Sequence, residues 1–244
     1  MTIESHLQES FGQAAPAHFA WQTRHSYVSQ CERALVRSAF WPLGSRVLDV
    51  GCGEGATLFH LGASGATGVD LFADKVAYAQ TTLPNCRFVV GSAYELPFVD
   101  GAFDHVIVRD LIHHLEQPER FIGECARVLA PGGRFDALET CGNNPLVFAH
   151  SLLVPVERGQ LRSRMGYMKG LLGEHFTIAS AQHHQALPLH RVVFHPRLGA
   201  PALADSRVAR GIVRAVESVA ENLIPRGFWA YMSVRSVKAA LRGI

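Results

Sequence analysis

The chain has 244 residues, 48% of them apolar and 18% charged, with a formal net charge of +2. That balance excludes global disorder and leaves enough apolar mass for a sizeable core. A charge so near neutral gives no reason to expect a nucleic-acid partner.

In chain order, residues 1–43 read as mainly helical and stop at Pro42-Leu43-Gly44. From Arg46 onward, short β-branched or aromatic runs alternate with amphipathic stretches. Strands are predicted at 46–50, 67–70, 87–90, 103–108 and 134–138. After Pro118, the apolar set Phe121, Ile122, Cys125 and Leu129 recurs at helical spacing, and Pro131-Gly132-Gly133 marks a stop. Gly142-Asn143-Asn144-Pro145 reads as a turn, followed by a helix-rich stretch and a strand over 176–185. A helix over 205–223 carries an apolar stripe (Val208, Ile212, Ala215/Val216, Val219, Leu223), with Arg207, Arg210 and Arg214 opposite as a solvated face. Pro225-Arg226-Gly227 precedes a last strand over 228–237. The longest apolar run, near 146–156, is broken by His150, Ser151 and Pro155, so no stable membrane insertion is expected.

Five scattered cysteines without a C-x-x-C pair read as reduced thiols, and no signal-peptide pattern opens the sequence, so a cytoplasmic protein is expected. The late histidines His183, His184, His190 and His195 lack ligand spacing, and no metal site is expected from them.

The first strand runs into Gly51-Cys52-Gly53-Glu54-Gly55, a turn suited to close approach of backbone and ligand. Asp70 ends the second strand, 19 residues after Gly51, where a carboxylate can accept from ribose hydroxyls. A relaxed G-x-G-x-x-A pattern keeps a nicotinamide dinucleotide in contention. Asp49 argues against it, because a carboxylate there opposes a pyrophosphate but suits a cationic group.

Residues 47–55, Gly68-Val69-Asp70, Gly91–Phe98, Phe103–Val106 and Arg127–Phe135 together resemble the class I S-adenosylmethionine-dependent methyltransferases of the small-molecule type. In motif order they are similar to the ubiquinone and menaquinone methyltransferases. The resemblance implies an α/β fold: a Rossmann-like doubly wound sheet, mostly parallel with an antiparallel last strand and helices on both faces. It implies one domain over 1–244, with a helical lid (1–43), a cofactor core (44–140) and a substrate cap with the final strands (141–244). S-adenosyl-L-methionine would be held by Asp49, Gly51, Cys52, Gly53, Asp70, Leu71, Ser92, Ala93 and Arg109. Ser92 stands where the family usually carries an acid. Family members often carry His at the place of His113, which is read as lining the site to orient the substrate or remove a proton, with support of the helix start or the sheet as the other reading. His18 replaces a lid tyrosine in the pattern that begins at Phe11, and both are the candidate catalytic residues. The expected partner is a small molecule, a secondary metabolite or quinone precursor; neither the acceptor atom nor the oligomeric state is specified. A nicotinamide-dependent oxidoreductase and a non-catalytic binder of the same cofactor are the alternatives.

Overall fold

The computed structural model describes residues 15–196 and 199–239. Five strands, β1 (Val47–Val50), β2 (Thr67–Asp70), β3 (Arg87–Val90), β4 (Phe103–Arg109) and β5 (Leu129–Thr140), run parallel. β6 (Phe176–His184) and β7 (Tyr231–Lys238) complete one sheet in the order β3-β2-β1-β4-β5-β7-β6, with β7 antiparallel to both neighbours. All four residues of β1 are buried, as expected for a strand covered on both faces. The strand order reverses at β1/β4, so the crevice at their carboxyl ends is the ligand position of this architecture.

Side-chain alternation along the central strands divides the core. Leu48, Val50, Val106 and Val108 face one layer, which includes Phe121, Ile122 and Cys125. Val47 and Ile107 face the other, against Leu35, Val36, Phe40 and Leu58. The first layer is supplied by α5 (Pro118–Val128), which starts on Pro118 and buries Phe121, Ile122 and Cys125 of the predicted set, whereas Leu129 opens β5. The preceding helices are α1 (Ala15–Arg24), α2 (Ser26–Ala39), α3 (Ala56–Leu61) and α4 (Ala73–Thr82). Beyond β5 come α6 (Pro145–Leu153), a 3₁₀ turn (Pro155–Leu161), α7 (Met165–Gly173), α8 (Leu189–Val193) and α9 (Arg207–Leu223). Asn144 caps α6 by accepting from the amides of Leu146 and Val147.

Three details depart from the sequence expectation. β5 begins at Leu129, not 134; its register against β4 shifts between the Phe103 and His105 pairs, and the intervening Pro-Gly-Gly is absorbed in that irregularity. The last strand begins at Tyr231, because Arg226–Phe228 form a 3₁₀ turn after Pro225. The apolar stripe of α9 does not face the core. Val208 (72% exposed), Ile212 (61%) and Leu223 (75%) lie outward, while Val213 and Ala220 are the buried residues of that helix. α9 docks through its Val213 side because Tyr27, Val28 and Phe194 form the apolar seat there. Arg207, Arg210 and Arg214 then line a cavity of about 330 Å³ together with Tyr27 and Gln30 of α2.

Candidate active site

The turn after β1 needs positive φ at Gly51 (72°), Gly53 (50°) and Gly55 (84°), a region costly for other residues. A Cβ on Gly53 would meet nothing within 4 Å, so its face is open, whereas one on Gly55 would strike Leu83 at 2.8 Å. The amides of Gly51 and Cys52 both donate to the Val69 carbonyl (2.8 and 3.1 Å), tying the turn to β2. Asp70 accepts from the Gly53 amide through Oδ2 (2.8 Å) and from the Phe72 amide through Oδ1 (3.0 Å). Its carboxylate therefore stands fixed at the sheet edge; burial pushes its pKa up, against those amides and Lys75.

Asp49 is 1% exposed, and its Oδ2 has no hydrogen-bond partner. Burial, with the Asp70 carboxylate nearby, pushes its pKa up to about 8 despite the Arg109 guanidinium. A cationic ligand group is the natural complement of such a carboxyl. Cys52 turns its thiol into the core, where it packs in the layer of Val47 and Leu58, so the residue can serve a ligand only through its backbone. Leu71, 40% exposed, follows Asp70. The Ser92 hydroxyl accepts from the Tyr94 amide (3.2 Å), and Ala93 packs on the core. The loop that carries them is clamped: Glu124 accepts from the Leu96 amide, and Arg127 donates to the carbonyls of Leu96 and Phe98.

Arg109 ends β4 and ion-pairs with Glu32 of α2 and with Asp110 (3.5 Å). Glu32 is fully buried; against that burial, Arg191 and Arg109 hold its carboxyl well below the usual carboxylate range. Arg191 of α8 reaches it through Nε at 2.8 Å. Asp110 itself adopts φ of 50° and leaves Oδ1 buried without a partner.

His113 lies on a 3₁₀ turn (Ile112–His114) just beyond β4. Glu139, near the end of β5, organises it: Oε1 accepts the amides of Leu111 (2.8 Å) and Ile112 (2.7 Å), and Oε2 accepts from His113 Nδ1 (2.5 Å). Glu157 approaches His113 Nε2 at 3.3 Å from the other side. Burial opposes the charge, but these two carboxylates push His113 up to about 10. His114 is pushed the other way, down to about 4, by burial and by His113 beside it. The 155–161 turn sits so closely here that a Cβ on Gly159 would fall 1.6 Å from the His113 carbonyl oxygen.

Of the two candidate catalytic histidines, His113 is thus sealed beneath the 145–161 segment, and His18 lies on α1, half exposed. His18 touches Gln22 and lies 3.7 Å from Glu54 of the glycine turn, so α1 packs beside that turn. Phe11, the start of that lid pattern, lies outside the described residues. The late histidines serve separate contacts: His184 with Ser233 and Ser38, His190 with Glu217, and His195 against Trp21. Glu32, Glu139, Glu157 and Arg191 surround Arg109 and His113, and the motif reading does not include them. Glu32 had a detectable signal, since it interrupts the i, i+4 row of Val28 and Val36. Glu139 likewise follows the apolar pair Ala137-Leu138 near the ligand edge of β5. Glu157 had none, because its place depends on how the segment after β5 folds back.

A glycine turn below a parallel-sheet switch point, with buried acids at the ends of β1 and β2, defines a nucleoside-type cofactor site. The family described as "Methyltransferase domain" matches residues 48–136. That segment is a class I methyltransferase domain, and its cofactor is S-adenosylmethionine. The chain is similar to norajmaline N-methyltransferase of Rauvolfia serpentina, 36% identical over 115 residues, or 43% of this chain and 39% of that protein. It is also similar to a fatty-acid O-methyltransferase of Mycolicibacterium smegmatis, 38% identical over 98 residues, covering 38% of this chain and 36% of the relative. The chain therefore spans well under half the length of these relatives. Among solved structures, a methyltransferase from Thermotoga maritima, titled a possible histamine N-methyltransferase, superposes with a TM-score of 0.65 at 16% identity. That match covers 96% of this chain and 98% of the other, a likeness of fold.

Proposed function

We propose that this chain transfers the methyl group of S-adenosylmethionine to a small-molecule acceptor, a metabolite rather than a nucleic acid, in the cytoplasm. The observation that carries the reading is Asp49: a buried carboxyl with an unpartnered oxygen, at the edge of a turn whose Gly53 face is open. A cationic sulfonium cofactor complements that site, whereas a pyrophosphate would oppose it. The same feature disfavours the nicotinamide alternative.

When bound, the cofactor supplies a methyl group already activated for displacement, so the protein needs no covalent nucleophile. The task of its residues is alignment and exclusion of water. Asp70, oriented by two amides, is the acceptor for ribose hydroxyls; Gly51 and Gly53 offer close backbone approach; Leu71, Ser92 and Ala93 flank the adenine. Cys52 contributes its backbone, and Arg109, braced by Glu32, borders the methionine end. We assign residues 1–43 to a lid, 44–140 to the cofactor core, and 141–244 to the acceptor cap and final strands. His113, which Glu139 and Glu157 hold protonated, is assigned to orienting the acceptor, and His18 to orienting it or taking its proton. Free cysteines, four of the five buried, support a reducing compartment, and no described helix is long and apolar enough to cross a membrane.

The relatives named above methylate an amine and a fatty acid, so the acceptor panel should span amines, carboxylic acids and phenols. The purified chain, incubated with S-adenosylmethionine and each acceptor, is expected to form S-adenosylhomocysteine and a product heavier by one methyl group. Titration calorimetry with S-adenosylhomocysteine tests the cofactor separately. Absence of binding would sink the proposal, while binding with no turnover across the panel would favour a non-catalytic role.

A further inference from the structure

Next to the proposed cofactor site, His113, His114 and Glu157 each offer a ligand atom, and the three atoms lie within 4.8 Å of one another. His113 is 4% exposed, and its Nε2 has no hydrogen-bond partner. Glu157 Oε2 stands 3.3 Å from that nitrogen, an ion-pair contact that a bound cation would replace with two metal–ligand bonds. Two atoms side by side at this separation are what two ligands of one ion show. Metal–ligand bonds of about 2.0–2.2 Å at tetrahedral angles set neighbouring ligands roughly 3.3–3.5 Å apart.

The surroundings have the form that metal-binding imidazoles need. His113 Nδ1 donates to Glu139 (2.5 Å), which fixes the ring with Nε2 toward Glu157; a cation bound there would take the place of the Nε2 proton. His114 is held by its Nδ1, which donates to the Val156 carbonyl (3.3 Å). Gln160 donates to Glu157 Oε2 (2.6 Å) and so orients the carboxylate, while Ser151 donates to the oxygen of that amide. Gly159, without a Cβ, lets the turn that carries Glu157 reach the His113 backbone.

We propose that His113 Nε2, His114 and Glu157 bind one divalent cation of the zinc–cobalt–nickel type, with Glu139 and Gln160 as positioning residues. Two imidazoles and one carboxylate favour such borderline ions over magnesium or calcium, which prefer all-oxygen sets. The ion would tie the 155–161 turn to the end of β4. Any coordination position left open would be available to water or to an acceptor oxygen, whose acidity a Lewis acid raises. Only this last role rests on the methyltransferase reading.

The test uses the full chain, freed of metal by chelator dialysis and titrated with Co²⁺ and with Zn²⁺ alone, without cofactor or acceptor. Expected are one ion per chain, a visible Co²⁺ absorption of tetrahedral or five-coordinate character, and its displacement by Zn²⁺. His114→Asn and Glu157→Gln should each weaken binding at least tenfold, and Glu139→Gln by about 10–100-fold; His183→Gln should leave it unchanged. The proposal is overturned by absence of stoichiometric Co²⁺ uptake in the native chain. Affinity unaltered in both His114→Asn and Glu157→Gln would overturn it equally. If a variant unfolds, the native chain still decides: Cu²⁺-loaded protein must show the nitrogen hyperfine coupling of two imidazoles, and its absence refutes the site. Failure here leaves methyl transfer standing, and failure of methyl transfer leaves the ion binding standing.

Discussion

Asp49 makes cofactor affinity a function of pH. With its carboxyl pushed up to about 8 in the ligand-free protein, a cation can be received at full strength only above that pH. Below it, binding must expel a proton, and affinity falls about tenfold per unit, so the dissociation constant at pH 6 should be roughly 100 times its plateau value, or about 2.7 kcal/mol. Stability follows the same carboxyl. Its folded pKa lies above the ordinary 3.8, so between about pH 4 and pH 8 the folded chain holds a proton that the unfolded chain has lost. The ligand-free protein must therefore lose stability as pH rises through that window, and cofactor must restore more of it at pH 8 than at pH 6. Calorimetry from pH 6 to 9, in two buffers of different ionisation enthalpy, should record close to one proton released per cofactor bound below pH 7. An α-amino group titrates near pH 7.7–8.0 on its own, so Asp49→Asn supplies the reference: its affinity should be weaker at pH 9, and between pH 9 and pH 6 it should keep only the slope that this amino group contributes. A native profile with no slope, or the same slope retained in the Asn variant, refutes the reasoning.

Asp70→Ala strands the amides of Gly53 and Phe72 and removes the proposed ribose acceptor; S-adenosylhomocysteine binding should weaken by about 5- to 150-fold, at roughly 1–3 kcal/mol for the lost acceptor. An unchanged dissociation constant by calorimetry would remove Asp70 from the site. Gly159→Ala places a methyl group 1.6 Å from the His113 carbonyl oxygen, so the 155–161 turn must lift; a loss of about 1–3 kcal/mol in urea unfolding is expected, with amide exchange accelerated in that turn, and native protection there would contradict the packing. On α9, Ile212→Ser should change stability by no more than about 0.5 kcal/mol, whereas Val213→Ala should cost more than about 1 kcal/mol. The reverse order would mean that the helix docks through its apolar stripe after all.

How much of this was legible in the sequence differs by element, and α9 and β1 show why. β1 is read from its own residues: a short run buried on both faces, a turn only glycine can make, and an acid at a set distance down the chain. Each of these is a local fact, and the five parallel strands and α5 follow by the same kind of reading. α9 has the strongest local pattern in the second half, and it misleads. Periodicity reports that a helix has an apolar side, while the docking side is decided by what stands opposite. Here that is the Tyr27, Val28 and Phe194 seat contributed by α2 and the segment after α8. The acidic groups around His113 illustrate the same limit. Glu139 ends the strand next to β4, so its role is readable once strands are assigned in order. Glu157 reaches the same imidazole from a turn 44 residues further along than His113, and only the fold-back of 145–161 brings it there. Residues that bind a shared cofactor sit at the sheet edge, where topology is regular and sequence motifs suffice. On the proposed assignment, residues that recognise an acceptor belong to 141–244, where long-range packing places them. The methyl donor can therefore be read from this sequence, whereas the acceptor must be found by experiment.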